Sequence, residues 1–452
     1  MSDNNSNKNS RREFIKTSAL GAAAITIGGM GMSAKSYGRI VGANERLNVA
    51  IIGLGRRLDA FIEPIVLEKS NVELLYLCDA MESQMTKAAT RFSTKLSYRP
   101  TLEGDFFKVI ADKNLDAIIN ATPDHWHGPG TWLATAAGKH VYVEKPCSHN
   151  PYEGELLIKA QKLHGKIIQM GNQQRSAPES IEIINEIHNG IIGNAYLATA
   201  FYSNARGRVI NPTAAPVPAG LNWEMWQGPA PRKPYEHDTW DYNWHWYGWD
   251  YGTAETGNNA THEYDIARWA LQVEFPEKVM VDAAKNHWLD DGWTMYDTMD
   301  ATFKFGGGKT IKWDGKSRNS YKTYGSGRGT VIYGTEGSVY VDRDGYKLFD
   351  RGGKEIRSKK AGSSEGGNQL GGGGDMSTIH VQNFFEAIRG KEKQNSPIDE
   401  GAASTLLCHL SNIAYRTGEI LECDPTNGHI INSEKAMKLW KREYEKGWEP
   451  TF

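Results

Sequence analysis

Between Leu47 and Met170 short apolar runs alternate with helix-length segments, and few architectures accept that alternation. The apolar runs are Leu47 to Ile52, Val72 to Cys78, Asp116 to Ala121, His140 to Val143 and Lys166 to Met170. Phe106 to Lys113, Thr131 to Gly138 and Pro151 to Gly165 read as helices, the second closed by a C-cap glycine. Strands alternating with helices of this length specify an α/β fold with a doubly wound parallel sheet. Right-handed crossovers bring the turn after Ala121, the Glu144-Lys145-Pro146 end and Gly171-Asn172-Gln173 to one edge of it. Ligands of such sheets bind at the carboxyl ends of the strands. The stretch Thr122 to Pro146 reads as strand end, polar turn, short helix and second strand. Its two polar clusters, Asp124-His125-Trp126-His127 and Glu144-Lys145-Pro146, therefore face one crevice. A lysine fixed there is placed for chemistry; the competing reading pairs Lys145 with Glu144 as a salt bridge.

The first strand ends in Gly53-Leu54-Gly55, and Asp79 closes the second, 24 residues past Gly55. In a dinucleotide fingerprint the first glycine permits the tight turn and the second lets the backbone approach a pyrophosphate. A carboxylate at the Asp79 position binds the ribose 2′-hydroxyl and repels a 2′-phosphate, which favours NAD over NADP. Arg56 and Arg57 oppose that preference, because they could hold a phosphate. The third fingerprint position is Leu58 instead of glycine or alanine. Chance turns of the G-x-G kind are common; the ordered context of strand, turn, helix, strand and acid is what favours the dinucleotide.

Past Gln174 the pattern changes. After a helix at Pro178 to Asn189, strand-like runs occur at Ala195–Tyr202, Glu277–His287, Asp297–Phe305, Lys309–Trp313, Gly329–Gly334 and Ser338–Asp342. Runs of strands with few intervening helices predict a mostly antiparallel sheet. The glycine-, serine- and lysine-rich Arg351 to Asp375 reads as a surface loop, before helices at Met376–Arg389 and Glu400–Thr417. This divides the chain into an N-terminal segment 1–34, a dinucleotide-binding domain 46–174 and an α+β domain 175–452.

Two segments of the second domain carry candidate chemistry. Leu221 to Tyr251 holds six tryptophans, among them Trp244 and Trp246, interleaved with His237, Asp238, Asp241, Asn243, His245 and Asp250. Aromatic faces beside hydrogen-bonding groups suit a polyhydroxylated ring; the other reading is packing alone. In the second segment, Asn258, His262 and Asp265 follow one another at i, i+4 and i+7 and share a helix face if the helix starts early enough. They could form a hydrogen-bonded helix start, or supply a general acid/base, for which histidine is suited.

Ser10-Arg11-Arg12-Glu13-Phe14-Ile15-Lys16 matches a twin-arginine export signal, followed by an apolar run from Ala19 to Met32 that is too short to span a bilayer. The bland alternative is a tail with two chance arginines. Cleavage near Ser33-Ala34, and no membrane anchor, are expected. A net charge of −2 with scattered lysines and arginines argues against nucleic-acid binding. The four cysteines show no metal spacing, so no metal is expected, and their pairing is open.

These residues together resemble the Gfo/Idh/MocA oxidoreductases, over nearly all of the chain beyond the N-terminal segment. The resemblance rests on Gly53-x-Gly55 with Asp79, Thr122-Pro123-Asp124-His125-Trp126-His127, Glu144-Lys145-Pro146 and Asn258…His262…Asp265. His380–Phe384 and Cys408–Tyr415 look like the exported, glucose–fructose oxidoreductase-like branch. It implies a Rossmann domain that holds NAD tightly, with NADP the lesser alternative, and a carbohydrate-like substrate. It also implies a homo-oligomer, handled by the twin-arginine machinery and working in the periplasm. By resemblance, Gly53, Leu54, Gly55, Arg56, Arg57, Asp79, Thr122, Pro123, His125, Trp126, His127, Glu144, Lys145 and Asn172 hold the cofactor. Lys145 and His262 do the chemistry, with Asp265 orienting substrate, and Gln173, Arg175, Trp244, Trp246, Asn258 and His262 face the sugar. Many members carry aspartate where Asn258 stands. A hydride would leave a carbinol while Lys145 or His262 takes the hydroxyl proton. One branch of the family instead cleaves glycosides with a recycled NAD, and a non-catalytic sugar-binding protein with a decayed dinucleotide site is a further alternative.

Overall fold

The computed structural model describes residues 45–362 and 376–450, so the twin-arginine segment and its cleavage region lie outside the described residues. Six strands form the first sheet: β1 (Leu47–Ile52), β2 (Val72–Cys78), β3 (Thr101–Glu103), β4 (Ala117–Asn120), β5 (His140–Val143) and β6 (Ile168–Met170). Their order is β3-β2-β1-β4-β5-β6, with every neighbouring pair parallel. The expected doubly wound sheet is present, and its order reverses between β1 and β4, where such sheets open a crevice. Helices cover both faces, which is why β4 is buried at all four positions and β1 at five of six.

One expectation is corrected beside that crevice. The Asp124-His125-Trp126-His127 cluster is not in a turn; it forms the first turn of a helix running Asp124–Ala136. Gly128-Pro129-Gly130 looks like a breaker in sequence, and an internal proline does forfeit a backbone hydrogen bond. The glycine serves packing here: a Cβ on Gly128 would lie 2.5 Å from Glu153 Oε2. Asp124 sits in the first turn, where the helix dipole favours a carboxylate.

The second sheet contains ten strands, comprising β7 (Ala195–Ala205), β8 (Lys278–Ala284), β9 (Thr298–Lys304), β10 (Thr310–Lys316), β11 (Arg318–Asn319), β12 (Arg328–Gly334), β13 (Gly337–Asp342), β14 (Gly345–Asp350), β15 (Glu355–Lys360) and β16 (Leu421–Glu422). The path runs β15-β14-β13-β12-β7-β10-β9-β8-β16, with β11 paired to β7 and only the β7–β10 pairing parallel. One face packs on helices Thr261–Leu271 and Ile398–Thr417, so strands such as β13 alternate buried with half-buried positions. The second of these helices also packs on Pro151–His164 of the first domain and joins the two cores.

The expected loop at Arg351–Asp375 is also corrected. Glu355–Lys360 pairs with β14 as an exposed edge strand, and its lysines and arginine are what such an edge tolerates. Residues 363–375 of that stretch lie outside the described residues. All four cysteines are buried and free. No described helix is long and apolar enough to cross a membrane.

Candidate active site

The carboxyl ends of β1, β2, β4 and β5 face the second domain across a cavity of about 580 Å³. At one end β1 runs into Gly53, whose φ of +86° and close approach to Ala121 (a Cβ would meet its carbonyl oxygen at 2.5 Å) exclude a side chain. Gly55 differs. A Cβ there would meet nothing within 4 Å, because the position opens onto the cavity. The helix Asp59–Val66 follows directly.

Asp79 also lines this end, and its carboxylate accepts the backbone N–H of Leu54 at 2.7 Å and of Met81 at 2.8 Å. Burial nevertheless raises its pKa to about 6. A bare glycine facing open space, a helix start and a carboxylate beyond the next strand fit a dinucleotide. Leu54 contributes its N–H to Asp79, and its own side chain is core. Leu58, the departure from the fingerprint, is buried in the same core and leaves the cavity unaltered.

The other end is built around Lys145. Its Nζ donates to the Asn258 backbone carbonyl at 2.6 Å. That carbonyl belongs to a π-helical turn, Thr256–Ala260, that leads into the α-helix Thr261–Leu271, and such turns recur at functional sites. Burial lowers the Lys145 pKa from the ordinary lysine value; Asp124 and Glu144 pull it up, Arg343 and Arg57 down. Glu144 does not take up Lys145 as a salt-bridge partner. It accepts from Arg57 Nε at 2.8 Å and from Gln173 Nε2 at 3.1 Å. Arg57 is thereby engaged at the lysine end, while Arg56 pairs with Asp241 at 3.6 Å and stacks over Tyr242.

His262 and Asn258 line the cavity with Lys145, as do Trp244 and Gln173. Burial pushes the His262 pKa well below the ordinary value, and Arg343, Lys145, Arg328 and Arg57 push in the same direction. The Asn258 side chain donates to Glu255 Oε1 at 3.0 Å. Thr122, Pro123, Trp126 and His127 form the roof beside β4. The His127 ring bridges two carbonyls, Nδ1 lying 2.6 Å from that of Pro146 and Nε2 2.7 Å from that of Thr122. His127 thus clips the strand end that carries Lys145 to the turn after β4.

Five expected site residues stand elsewhere. Asp265 is 1% exposed and accepts from Arg175 Nε at 2.8 Å and Ser404 Oγ at 2.7 Å, so this carboxylate and this guanidinium satisfy each other outside the cavity lining. Trp246 stacks on Trp293 with ring centroids 3.9 Å apart and is core. His125 is fully buried between Trp226 and Tyr251, its Nε2 on the Trp226 carbonyl. Asn172 follows β6 without reaching the lining, and its buried amide has no hydrogen-bond partner among the described residues.

Sequence reasoning passed over Arg206, Arg328 and Arg343, which line the cavity from the second domain. Arg206 faces Glu255 at 3.4 Å, and Arg328 forks onto Glu263 at 2.8 and 3.1 Å. No spacing rule marks them, because they come from separate strands and turns. Among the described residues no cluster of histidine, cysteine or carboxylate side chains is disposed to hold a metal ion.

Comparison with known proteins gives these features a context. The NAD-binding Rossmann-fold model of the Gfo/Idh/MocA oxidoreductases matches residues 47–172, and the C-terminal alpha/beta domain model matches residues 201–343. Together they cover more than half of the chain. A Saccharopolyspora erythraea protein named as a glycosyl hydrolase family 109 protein is 28% identical over 217 residues, 44% of this chain and 47% of its own length. The D-glucoside 3-dehydrogenase of Escherichia coli is 25% identical over 154 residues, 34% of this chain and 42% of its own. The chain spans about half the length of the curated relatives it matches. Among solved structures, the WlbA dehydrogenase of Bordetella pertussis, in complex with NADH and UDP-GlcNAcA, superposes with a TM-score of 0.61 at 18% identity, covering 84% of this chain and 99% of that one. Levoglucosan dehydrogenase, in complex with NADH and levoglucosan, gives 0.61 at 20% identity, with 83% and 99% covered. At these identities the likeness is one of fold.

Proposed function

We propose that this chain, which belongs to the Gfo/Idh/MocA oxidoreductase family, transfers a hydride between a tightly bound NAD and a hydroxyl-bearing carbon of a sugar, glycoside or cyclitol. The observation that carries the reading is one cavity holding the Gly53–Gly55 turn at one end and Lys145 with His262 at the other. The nicotinamide of a bound NAD supplies the hydride acceptor or donor. The rest falls to the chain's own side chains.

Lys145, its pKa lowered by burial, takes the hydroxyl proton of the substrate. The Asn258 carbonyl accepts from Nζ, and both an ammonium and an amine can satisfy it, so the lysine keeps its aim in either protonation state. His262, held neutral, hydrogen-bonds the same substrate oxygen and is the acid/base partner. Asn258, Gln173 and Trp244 face the sugar. The sugar reading is supported by the neighbours solved with levoglucosan and UDP-GlcNAcA.

Export by the twin-arginine route to the periplasm belongs to the same proposal and rests on Ser10–Lys16. A periplasmic enzyme meets little free dinucleotide, which is why tight binding goes with it. A homo-oligomer belongs to the same proposal and rests on the resemblance alone.

A second reading is favoured by the relatives named as glycosyl hydrolase family 109 proteins: the same site oxidises a glycoside transiently, cleaves it and returns the hydride. A non-catalytic sugar-binding protein would need a decayed dinucleotide site, and Leu58, the departure from the fingerprint, is core and leaves the Gly53–Gly55 turn open to the cavity, which speaks against it.

The test is to denature the purified protein, assay the dinucleotide released, and ask whether added NAD exchanges. Stoichiometric, non-exchanging cofactor supports a closed redox cycle. Empty protein that binds and turns over added NAD supports an ordinary dehydrogenase. Protein that neither holds nor binds dinucleotide overturns both.

A further inference from the structure

The Asn258 carbonyl that accepts from Lys145 Nζ sits on backbone that is not regular helix, and something has to hold it there. Ala254 adopts φ +57°, a left-handed conformation that is costly for a residue with a Cβ. The π-helical turn Thr256–Ala260 begins two residues later. Gly257 of that turn packs so near the strand end that a Cβ there would lie 3.3 Å from Pro146 Cγ. Strained backbone of this kind persists only where its surroundings over-determine it.

Glu255 stands between the two irregularities and is 3% exposed. Its carboxylate gathers partners on both oxygens. Oε1 accepts from Asn258 Nδ2 at 3.0 Å and lies 3.4 Å from Arg206 Nε. Oε2 accepts from Asn259 Nδ2 at 3.1 Å and from Ser317 Oγ at 2.7 Å. Residues i+3 and i+4 fall on the helix face of residue i, so one carboxylate reaches both asparagines of the turn. Neutralising Arg206 accounts for one of these four contacts, and Ser317 anchors the carboxylate between β10 and β11. We infer that Glu255 is a positioning residue of the proposed reaction: by clasping Asn258 and Asn259 it fixes the π-helical turn so that the Asn258 carbonyl meets Lys145 Nζ. Glu255 lies behind the cavity wall and acts through Asn258, which lines it. This deepens the hydride-transfer reading and rests on it.

The experiment titrates Lys145 by NMR in the whole protein, with lysine carbon-13 labelled at Cε and the Lys145 signal identified by its loss in Lys145→Ala. The strongest charges on Lys145 are those of Asp124, Glu144, Arg343 and Arg57, so Glu255 reaches it through geometry. Asn258→Ala changes no charge and cuts the link to Glu255 while leaving the backbone carbonyl in the chain. The expected result is a Lys145 midpoint moved to lower pH, because an ammonium that loses its acceptor gives up its proton more readily. Glu255→Ala moves the midpoint the same way, and adding Asn258→Ala to it moves it no further, as for two members of one chain of contacts. Where Glu255→Ala does not fold, Glu255→Gln takes its place: it offers one accepting oxygen instead of two, and the shift caused by Asn258→Ala shrinks. An unmoved or raised midpoint in Asn258→Ala overturns the inference, as does a shift of equal size with and without the Glu255 substitution. A lower Tm with the midpoint unmoved is what a purely structural Glu255 gives, and it overturns the inference too. The hydride-transfer reading fails separately, if the native protein neither holds nor binds NAD; the Lys145 midpoint is read in either case.

Discussion

Lys145 Nζ donates to the Asn258 carbonyl oxygen at 2.6 Å, so a lysine at the edge of the first sheet is aimed by a π-helical turn of the second domain. The two domains therefore meet through the group proposed to take the substrate proton. Sliding one past the other by an ångström would undo the geometry that general acid/base catalysis needs.

The pH profile should report this lysine. With its pKa lowered, kcat/KM for oxidation is expected to rise with pH through an apparent value below 10.5, and Lys145→Arg should remove that limb. No limb is expected near 6.5, because burial keeps His262 neutral well below it. The sign for stability follows: the unfolded chain takes up a proton at His262 that the folded chain refuses, so stability falls as pH drops below 6.5. A limb near 6.5 that vanishes in His262→Asn would contradict this.

Asp79 links stability to pH in the opposite sense. Its folded pKa of about 6 lies above the ordinary 3.8, so the folded state keeps this proton longer, and the Asp79 contribution to stability declines as pH rises from 3.8 to about 6. The carboxylate is the better acceptor for ribose hydroxyls, so NAD affinity should rise across that window. Asp79→Asn should flatten the rise and weaken NAD binding about tenfold at neutral pH. Undiminished affinity in that variant removes the ribose assignment.

The two glycines of the turn separate fold from cofactor. Gly53→Ala forces a side chain at φ +86° into the Ala121 carbonyl, and a loss of stability of about 1–3 kcal/mol is expected in thermal unfolding. The Cβ of Gly55→Val meets nothing within 4 Å in the protein, so unfolding should change little, yet the side chain enters the space a pyrophosphate needs. If Gly55→Val binds NAD normally, the dinucleotide does not pass over this turn.

Asp265 tests the line between resemblance and geometry. Its carboxylate holds Arg175 and Ser404 away from the cavity, so Asp265→Ala leaves the buried Arg175 guanidinium only Glu400, at 3.2 Å, and should cost about 1.5–3 kcal/mol of stability. Turnover per folded molecule is expected to stay within about twofold. A selective collapse of kcat with stability intact would return Asp265 to the substrate.

How much of this was legible in the sequence follows from what each signal depends on. The strand at Ala117–Asn120 and the lysine after Val143 are readable because burial on both sheet faces demands near-continuous apolar runs, and crossover handedness then decides which ends meet. The helix at Asp124 was not readable, because Gly128 looks like a stop until Glu153 is seen against it. β3 escaped for a related reason: a three-residue strand with two exposed positions carries almost no pattern. At the site, sheet topology put Lys145 at the crevice, but only the resemblance joined His262 to it, and neither said that Asp265, three residues further along the helix, turns to Arg175. The cavity arginines come from strands and turns distant in sequence, and only the folded sheet brings them to one wall.

The account turns on Lys145, and one comparison tests it most directly. Native protein and Lys145→Ala, each loaded with NAD and verified for stoichiometry, are mixed with a substrate sugar while the absorbance of reduced nicotinamide is followed in a single turnover. The account predicts that both bind NAD and that the variant reduces it about 10²–10⁴-fold more slowly. Reduction in Lys145→Ala within about twofold of the native rate would contradict it and move the chemistry away from this lysine.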